Sequence, residues 1–392
     1  MAERFIPYGR QDIDEDDIAA VDAVLRSDWL TQGPAIERFE AAVAAAANAR
    51  YAVAVSSATA GLHIACLALG IGPGDRVWTV PNTFVASANC ARYCGAMVDF
   101  VDIDPATYNL SISALAEKLA VAEKTGELPK LLIPVHFAGQ SCDMAAIAQL
   151  AERYGFTVLE DAAHAVGASY GGEPVGNCRY SRAAVFSFHP VKIVTTGEGG
   201  VVVTQDEDVY RRLLLLRSHG ITRDPALMHG KPDGAWSYEQ VELGFHYRMT
   251  DLQAALGASQ MSKLPRFVAR RRALVARYNE LLGGSGLVLP AVLPQTEPSW
   301  HLYVVQTPDP AQRRPLFDAM RAAGIGVNVH YIPVHTQPDF QHLGFRPGQF
   351  PVAEAYYSRA ISLPLHTRLE DHDLAFVADN LLNHLSNNAS KG

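Results

Sequence analysis

The chain has 392 residues, 48% hydrophobic and 19% charged, with a formal net charge of −8. That describes a folded globular protein with ample core, and the acid excess argues against a generally basic nucleic-acid surface. No apolar run is long enough to span a bilayer, the first residues are acidic with no continuous apolar stretch, and the five cysteines are scattered without metal-finger spacing. A cytoplasmic protein with reduced core thiols is expected, with no metal and no membrane or nucleic-acid partner.

"YAVAVSS" (51–57) reads as a strand that breaks at once into "ATAGLHIACLALG", apolar at helical spacing and closed by Gly70. "RVWTV" (76–80) is the next strand, and "PNTFVASANCARYCG" after it is a loop and a helix. "MVDFVDID" (97–104), "KLLIPVHFAG" (130–139), "TVLEDAAHA" (157–165) and "AAVFSF" (183–188) continue the series, with helices such as "DMAAIAQLAERYG" between them. After "TTGEGG", the run "VVVT" carries the chain back into the sheet. The alternation predicts an α/β protein with a large, mostly parallel sheet covered on both faces, which binds ligands at the carboxyl ends of its strands. From about residue 250 one or two long helices lead into mixed strands and helices, so a large domain over 1–264 and a small α+β domain over 265–392 are expected. The arginines of "RFVARRRALVAR" read as a solvated helix face, and "SNNASKG" as a frayed tail.

Familiar nucleotide and hydrolase signatures are missing. "GIGPGD" (70–75) lies after a helix and before a strand, the wrong way round for a dinucleotide loop, and there is no GxxxxGK[ST], GxSxG or HExxH. Other parts converge instead. Lys192 falls just past the strand "AAVFSF", where it is either a turn lysine or a reactive amine. Asp161 ends the strand "TVLED", as a helix N-cap or as the anion that keeps a pyridine nitrogen protonated, and His164 follows closely. The break at "SSATAGL" frees the amides of Ala58 and Thr59 for a phosphate, with Ser187 and the hydroxyl of Ser57 or Thr59 as further donors. Phe84 of "PNTF" is either core or a face for a flat ring. An amine, an anion, a phosphate cradle and an aromatic, all at strand ends, describe a pyridoxal 5'-phosphate site with Lys192 as the Schiff-base residue.

The segments "WLTQGPAIERFE", "SSATAGLHIACLALGIGPGD", "VDIDPATYNL", "EDAAHAVGA", "FSFHPVKIVTTGEGG", "LRSHGI", "GFHYRMTDLQAALG" and "SLPLH" resemble, in order and spacing, the DegT/DnrJ/EryC1/StrS sugar-nucleotide aminotransferases over nearly the whole chain. The resemblance implies the type I, aspartate aminotransferase-like fold and a homodimer with active sites at the interface. It implies Lys192 as Schiff-base lysine, Asp161 at the pyridine nitrogen and His164 near the ring hydroxyl. Ser187, Ala58 and Thr59 would then lie on the phosphate, with Phe84 stacked on the ring. Where the family pattern has an asparagine that reaches the phosphate across the dimer, this chain has His246, which keeps a hydrogen-bond donor. Relatives that are dehydratases carry a histidine in place of the lysine, so Lys192 favours transamination. Within the family, "FSFHPVK", "VELGFHYRMTD" and "IGVNVHYIPVH" look most like the pseudaminic acid branch, which transfers an amino group from L-glutamate to C4 of a UDP-linked 4-keto-6-deoxy sugar. The alternatives are another UDP- or dTDP-linked keto sugar and, after it, dehydration.

Overall fold

The computed structural model describes residues 5–389, with side chains as far as 385. Seven strands form the main sheet. They are β1 (Tyr51–Val55), β2 (Arg76–Thr79), β3 (Met97–Phe100), β4 (Leu131–Leu132), β5 (Thr157–Asp161), β6 (Ala183–Ser187) and β7 (Gly200–Thr204). Their spatial order is β1-β7-β6-β5-β4-β2-β3. Neighbours from β6 to β3 are parallel, whereas β7 runs antiparallel to both β1 and β6. β1 therefore points the same way as the parallel strands, and the carboxyl ends of β1, β2, β5 and β6 open on one edge. Strands β6 and β7 are buried throughout, as continuous apolar runs in a doubly covered sheet require. The strand expected over 130–139 contracts to β4, because Pro134 has no N–H to give to a ladder; the chain rejoins β5 through a bridge between Val135 and Asp161.

Helices α1 (Ala58–Ala68) and α2 (Ala86–Tyr93) leave the site edge after β1 and β2. Glycines in the turn before β7 and at its first position answer to local geometry. Gly197 turns the chain at φ +82°, and a Cβ on Gly200 would stand 2.5 Å from the Ala58 nitrogen. Strand β7 can pass the start of α1 only without a side chain there.

Beyond residue 250 the long helical stretch is two helices, α3 (Asp251–Ser262) and α4 (Leu264–Leu282), divided at Lys263. A further apolar cluster joins Leu274, Tyr278 and Leu282 of α4 to an antiparallel pair, β8 (Tyr303–Gln306) and β9 (Ala360–Leu363). Helices α5 (Pro310–Ala322) and α6 (Asp371–Ala389) pack on the same cluster through Leu316, Met320, Leu374 and Val377. Ile6 joins it too, bridged to Ile325.

Two expectations change. The arginines of α4 are not one solvated face. Arg271 is buried, and its guanidinium donates to the carbonyls of Trp300 (3.0 Å), His301 (3.3 Å) and Leu365 (3.1 Å). The tail expected to fray is helical as far as Ala389, while 390–392 lie outside the described residues. All five cysteines are free and buried. Among the described residues no helix is long and apolar enough to cross a membrane.

Candidate active site

Lys192 sits in the loop between β6 and β7. That loop is pinned at its base: Phe188 N–H donates to the Gly199 carbonyl and Thr196 N–H to the Phe188 carbonyl, both at 2.9 Å. Thr195 Oγ1 donates to the same Phe188 carbonyl (3.1 Å), and Ile193 and Val194 are sunk in the core. The chain just after Lys192 is thus fixed by packing rather than left on a free turn. Burial pushes the Lys192 amine down to about 8, against the opposing pull of the Asp161 carboxylate.

Asp161 closes β5, opposite Val185 of β6, and is 5% exposed. Its Oδ1 accepts from Ala163 N–H (3.1 Å) and its Oδ2 from the Ser87 hydroxyl (2.6 Å). His164 is buried next to it. Its Nδ1 accepts from Ala138 N–H (3.3 Å), so the ring proton is on Nε2, 3.1 Å from the Tyr331 hydroxyl. Burial, the Lys192 charge and His330 hold the His164 imidazole well below its ordinary range, and hence neutral.

The start of α1 is a ready anion site. Ser57 Oγ accepts from Ala60 N–H (3.2 Å), and the amides of Ala58 and Thr59 have no partner among the described residues. Ser187, at the end of β6, faces the same space. Phe84 is 59% exposed in the loop after β2, its ring 6.4 Å from that of Tyr331.

These parts border one cavity of about 290 Å³, with Ser57, Ala58, Thr59, Phe84, Asp161, His164, Ser187 and Lys192 in its wall. His246 does not border it. It is bridged to Ser218, with its ring 5.5 Å from that of His219, on another part of the same chain.

The cavity also draws on residues given no role from sequence: Tyr8, Thr83, His301, His330 and Tyr331. His330 is held by the Ser362 hydroxyl (2.7 Å), and burial with the Lys192 charge lowers it to about 3. His301 packs at 4.4 Å on His164 and is likewise pushed well below its usual range, burial again being the chief cause. Lys192 is therefore ringed by neutral imidazoles, with Asp161 as the facing anion. A cofactor with a phosphate, a basic ring nitrogen and an aldehyde meets a matching donor set: orphan amides, a buried carboxylate and a weakly basic amine. Asp161 and Lys192 could be read from strand ends. Tyr331 and His330 left a weaker trace, polar residues inside the apolar run "IGVNVHYIPVH".

Residues 11–382 match the DegT/DnrJ/EryC1/StrS aminotransferase family. The UDP-4-amino-4-deoxy-L-arabinose–oxoglutarate aminotransferase of Shewanella sediminis is 39% identical over 343 residues, 86% of each chain. Spr1654 of Streptococcus pneumoniae, solved in a PMP form, superposes with a TM-score of 0.90 at 31% identity, over 97% of this chain and 99% of its own. PseC of Helicobacter pylori, an aminotransferase of pseudaminic acid biosynthesis, does so with a TM-score of 0.88 at 27% identity, over 98% of this chain and 100% of its own.

Proposed function

The chain belongs to the DegT/DnrJ/EryC1/StrS aminotransferase family, a sugar aminotransferase with pyridoxal 5'-phosphate as cofactor, and on that premise we propose that it moves an amino group from L-glutamate to C4 of a UDP-linked 4-keto-6-deoxy-N-acetylhexosamine. The product would be UDP-4-amino-4,6-dideoxy-N-acetyl-β-L-altrosamine, a precursor of pseudaminic acid. One observation carries the reading of the chemistry: a half-buried, weakly basic amine, Lys192, in the wall of the same cavity as a doubly hydrogen-bonded carboxylate, Asp161. The choice of sugar is supported by the fold-wide likeness to PseC and by a relative named for a UDP-linked 4-amino sugar. The latter also favours a second reading, another UDP-linked 4-keto sugar with the same donor.

In this reading the Ala58 and Thr59 amides and Ser187 would hold the phosphate, Phe84 would pack on the ring, Asp161 would pair with the ring nitrogen and His164 would lie near the ring hydroxyl. When bound, the cofactor supplies a carbonyl to carry the amino group and a ring to accept the electrons of the broken C–H bond. Lys192 Nζ anchors it and moves the proton. As the free amine it takes the α-hydrogen of glutamate, and in the second half-reaction it handles the proton at C4 of the sugar. Asp161 keeps a proton on the ring nitrogen by remaining negative. His164 stays neutral, so it orients without adding charge beside Lys192. His246, outside its own chain's cavity, would reach the phosphate of a partner copy if the chain forms a homodimer with shared sites. The parts divide between a large domain over 1–264 and a small one over 265–392.

The pyridoxamine-phosphate form, mixed in turn with UDP- and dTDP-linked keto sugars, tests this. Fastest return of the aldehyde form with the UDP-4-keto-6-deoxy-N-acetylhexosamine supports the sugar proposed; a clear preference for a dTDP-linked or 3-keto sugar overturns it.

A further inference from the structure

Ser87 lies behind the cavity wall, outside it and fully buried, at the start of α2. Its hydroxyl stands 2.6 Å from Asp161 Oδ2 and 2.7 Å from Thr83 Oγ1, with the Phe84 carbonyl further off at 3.4 Å. A serine has one proton to give. Facing a buried carboxylate, it gives that proton to Asp161, where the bond is shortest and charge-assisted. Thr83 Oγ1 then donates to Ser87 Oγ, so two hydroxyls in series point their dipoles at Oδ2. The Ala163 amide serves Oδ1. Both acceptor oxygens of Asp161 are thus held from the protein side.

We propose that Ser87, backed by Thr83, is a positioning residue that keeps Asp161 in its carboxylate form and so fixes how far the cofactor's ring nitrogen is protonated. The inference rests on the proposed role of Asp161 opposite that nitrogen. Without the Ser87 proton, a buried carboxylate oxygen would be left unsatisfied, and the proton shared between Asp161 and the ring would move toward Asp161. A ring with less positive charge draws fewer electrons from its substituents, so the link between Lys192 and the cofactor would hold its own proton to higher pH.

The test is the pH titration of visible absorption in the cofactor-loaded enzyme, a property that mere loss of helix packing would not move. In Ser87→Ala the midpoint moves up by roughly one pH unit, while in Ser87→Thr, which keeps the hydroxyl, it stays with wild type. Thr83→Val shifts it the same way by less. An unmoved midpoint in loaded Ser87→Ala, or an equal shift in Ser87→Thr, overturns the inference. If Ser87→Ala fails to fold or to keep the cofactor, Thr83→Val decides, and an unmoved midpoint there overturns it. A wild-type protein that gains no visible band overturns the functional reading and this inference with it, whereas a normal wild-type band beside unmoved variants overturns this inference alone.

Discussion

Lys192 and Arg271 are both cations whose pKa is lowered by desolvation, Arg271 fully buried and Lys192 partly so at the cavity wall, and they have opposite surroundings. Arg271 is walled in by the carbonyl oxygens of Trp300, His301 and Leu365, and burial lowers it to about 10, still charged at any ordinary pH. Lys192 faces a cavity, with Asp161 for counter-charge and neutral histidines nearby, and burial takes it down to about 8. The guanidinium, with a fork of fixed donors, is committed to structure; the ammonium keeps a proton it can lose. Burial alone therefore does not mark a reactive group. A buried cation whose partners leave it an open side does.

The two sites break differently. Lys192→Ala is expected to cut transamination by about 10³-fold or more and to remove the borohydride-reducible colour, as followed by absorbance and product formation, while leaving the fold intact. Asp161→Asn should retain colour but lose about 10²-fold in turnover, read from single half-reactions with glutamate. Arg271→Ala should do the converse. It leaves the carbonyls of Trp300, His301 and Leu365 short of a donor and should lower stability by roughly 3 kcal/mol in denaturant melts, with the per-molecule rate of the folded fraction far less affected. Gly200→Ala brings a methyl against the Ala58 nitrogen, and should cost about 1–3 kcal/mol and weaken cofactor retention measured by dialysis. The smallest effect is one of pH. In the proposed mechanism the neutral Lys192 amine is the nucleophile, and its fraction grows with pH until it passes about 8, so cofactor uptake by the apoprotein should quicken about tenfold from pH 7 and level off above that point.

Much of the sheet was legible because its strands are continuous runs of Val, Ala and Leu punctuated by Gly and Pro. Lys192, Asp161 and the Ala58–Thr59 amides were legible for a related reason: strand ends are positions that a pattern locates. Ser87, Tyr331, His330 and His301 were not, since their value comes from contacts across long stretches of chain, such as Ser87 to Asp161 or Tyr331 to His164. Arg271 is instructive because its signal existed. The buried residues of α4 include Leu264, Phe267, Val268, Leu274, Val275 and Tyr278, and Arg271 falls in step with them on the 3.6-residue period. The expectation of one solvated face took no account of that phase. His246 belongs to a different category, since the cavity of its own chain does not include it.

Strand β7 has one further consequence. It begins where the Lys192 loop ends, and its first residue rests against the nitrogen that opens α1, so the amine and the amides proposed to hold the cofactor hang from a single strut. Tyr8, His301, His330 and Tyr331 reach the same space from outside that strut. On the proposed reading, a lineage could therefore rework those outer walls to admit a new sugar without disturbing the cofactor's anchor, whereas drift at the strut would loosen both holds together.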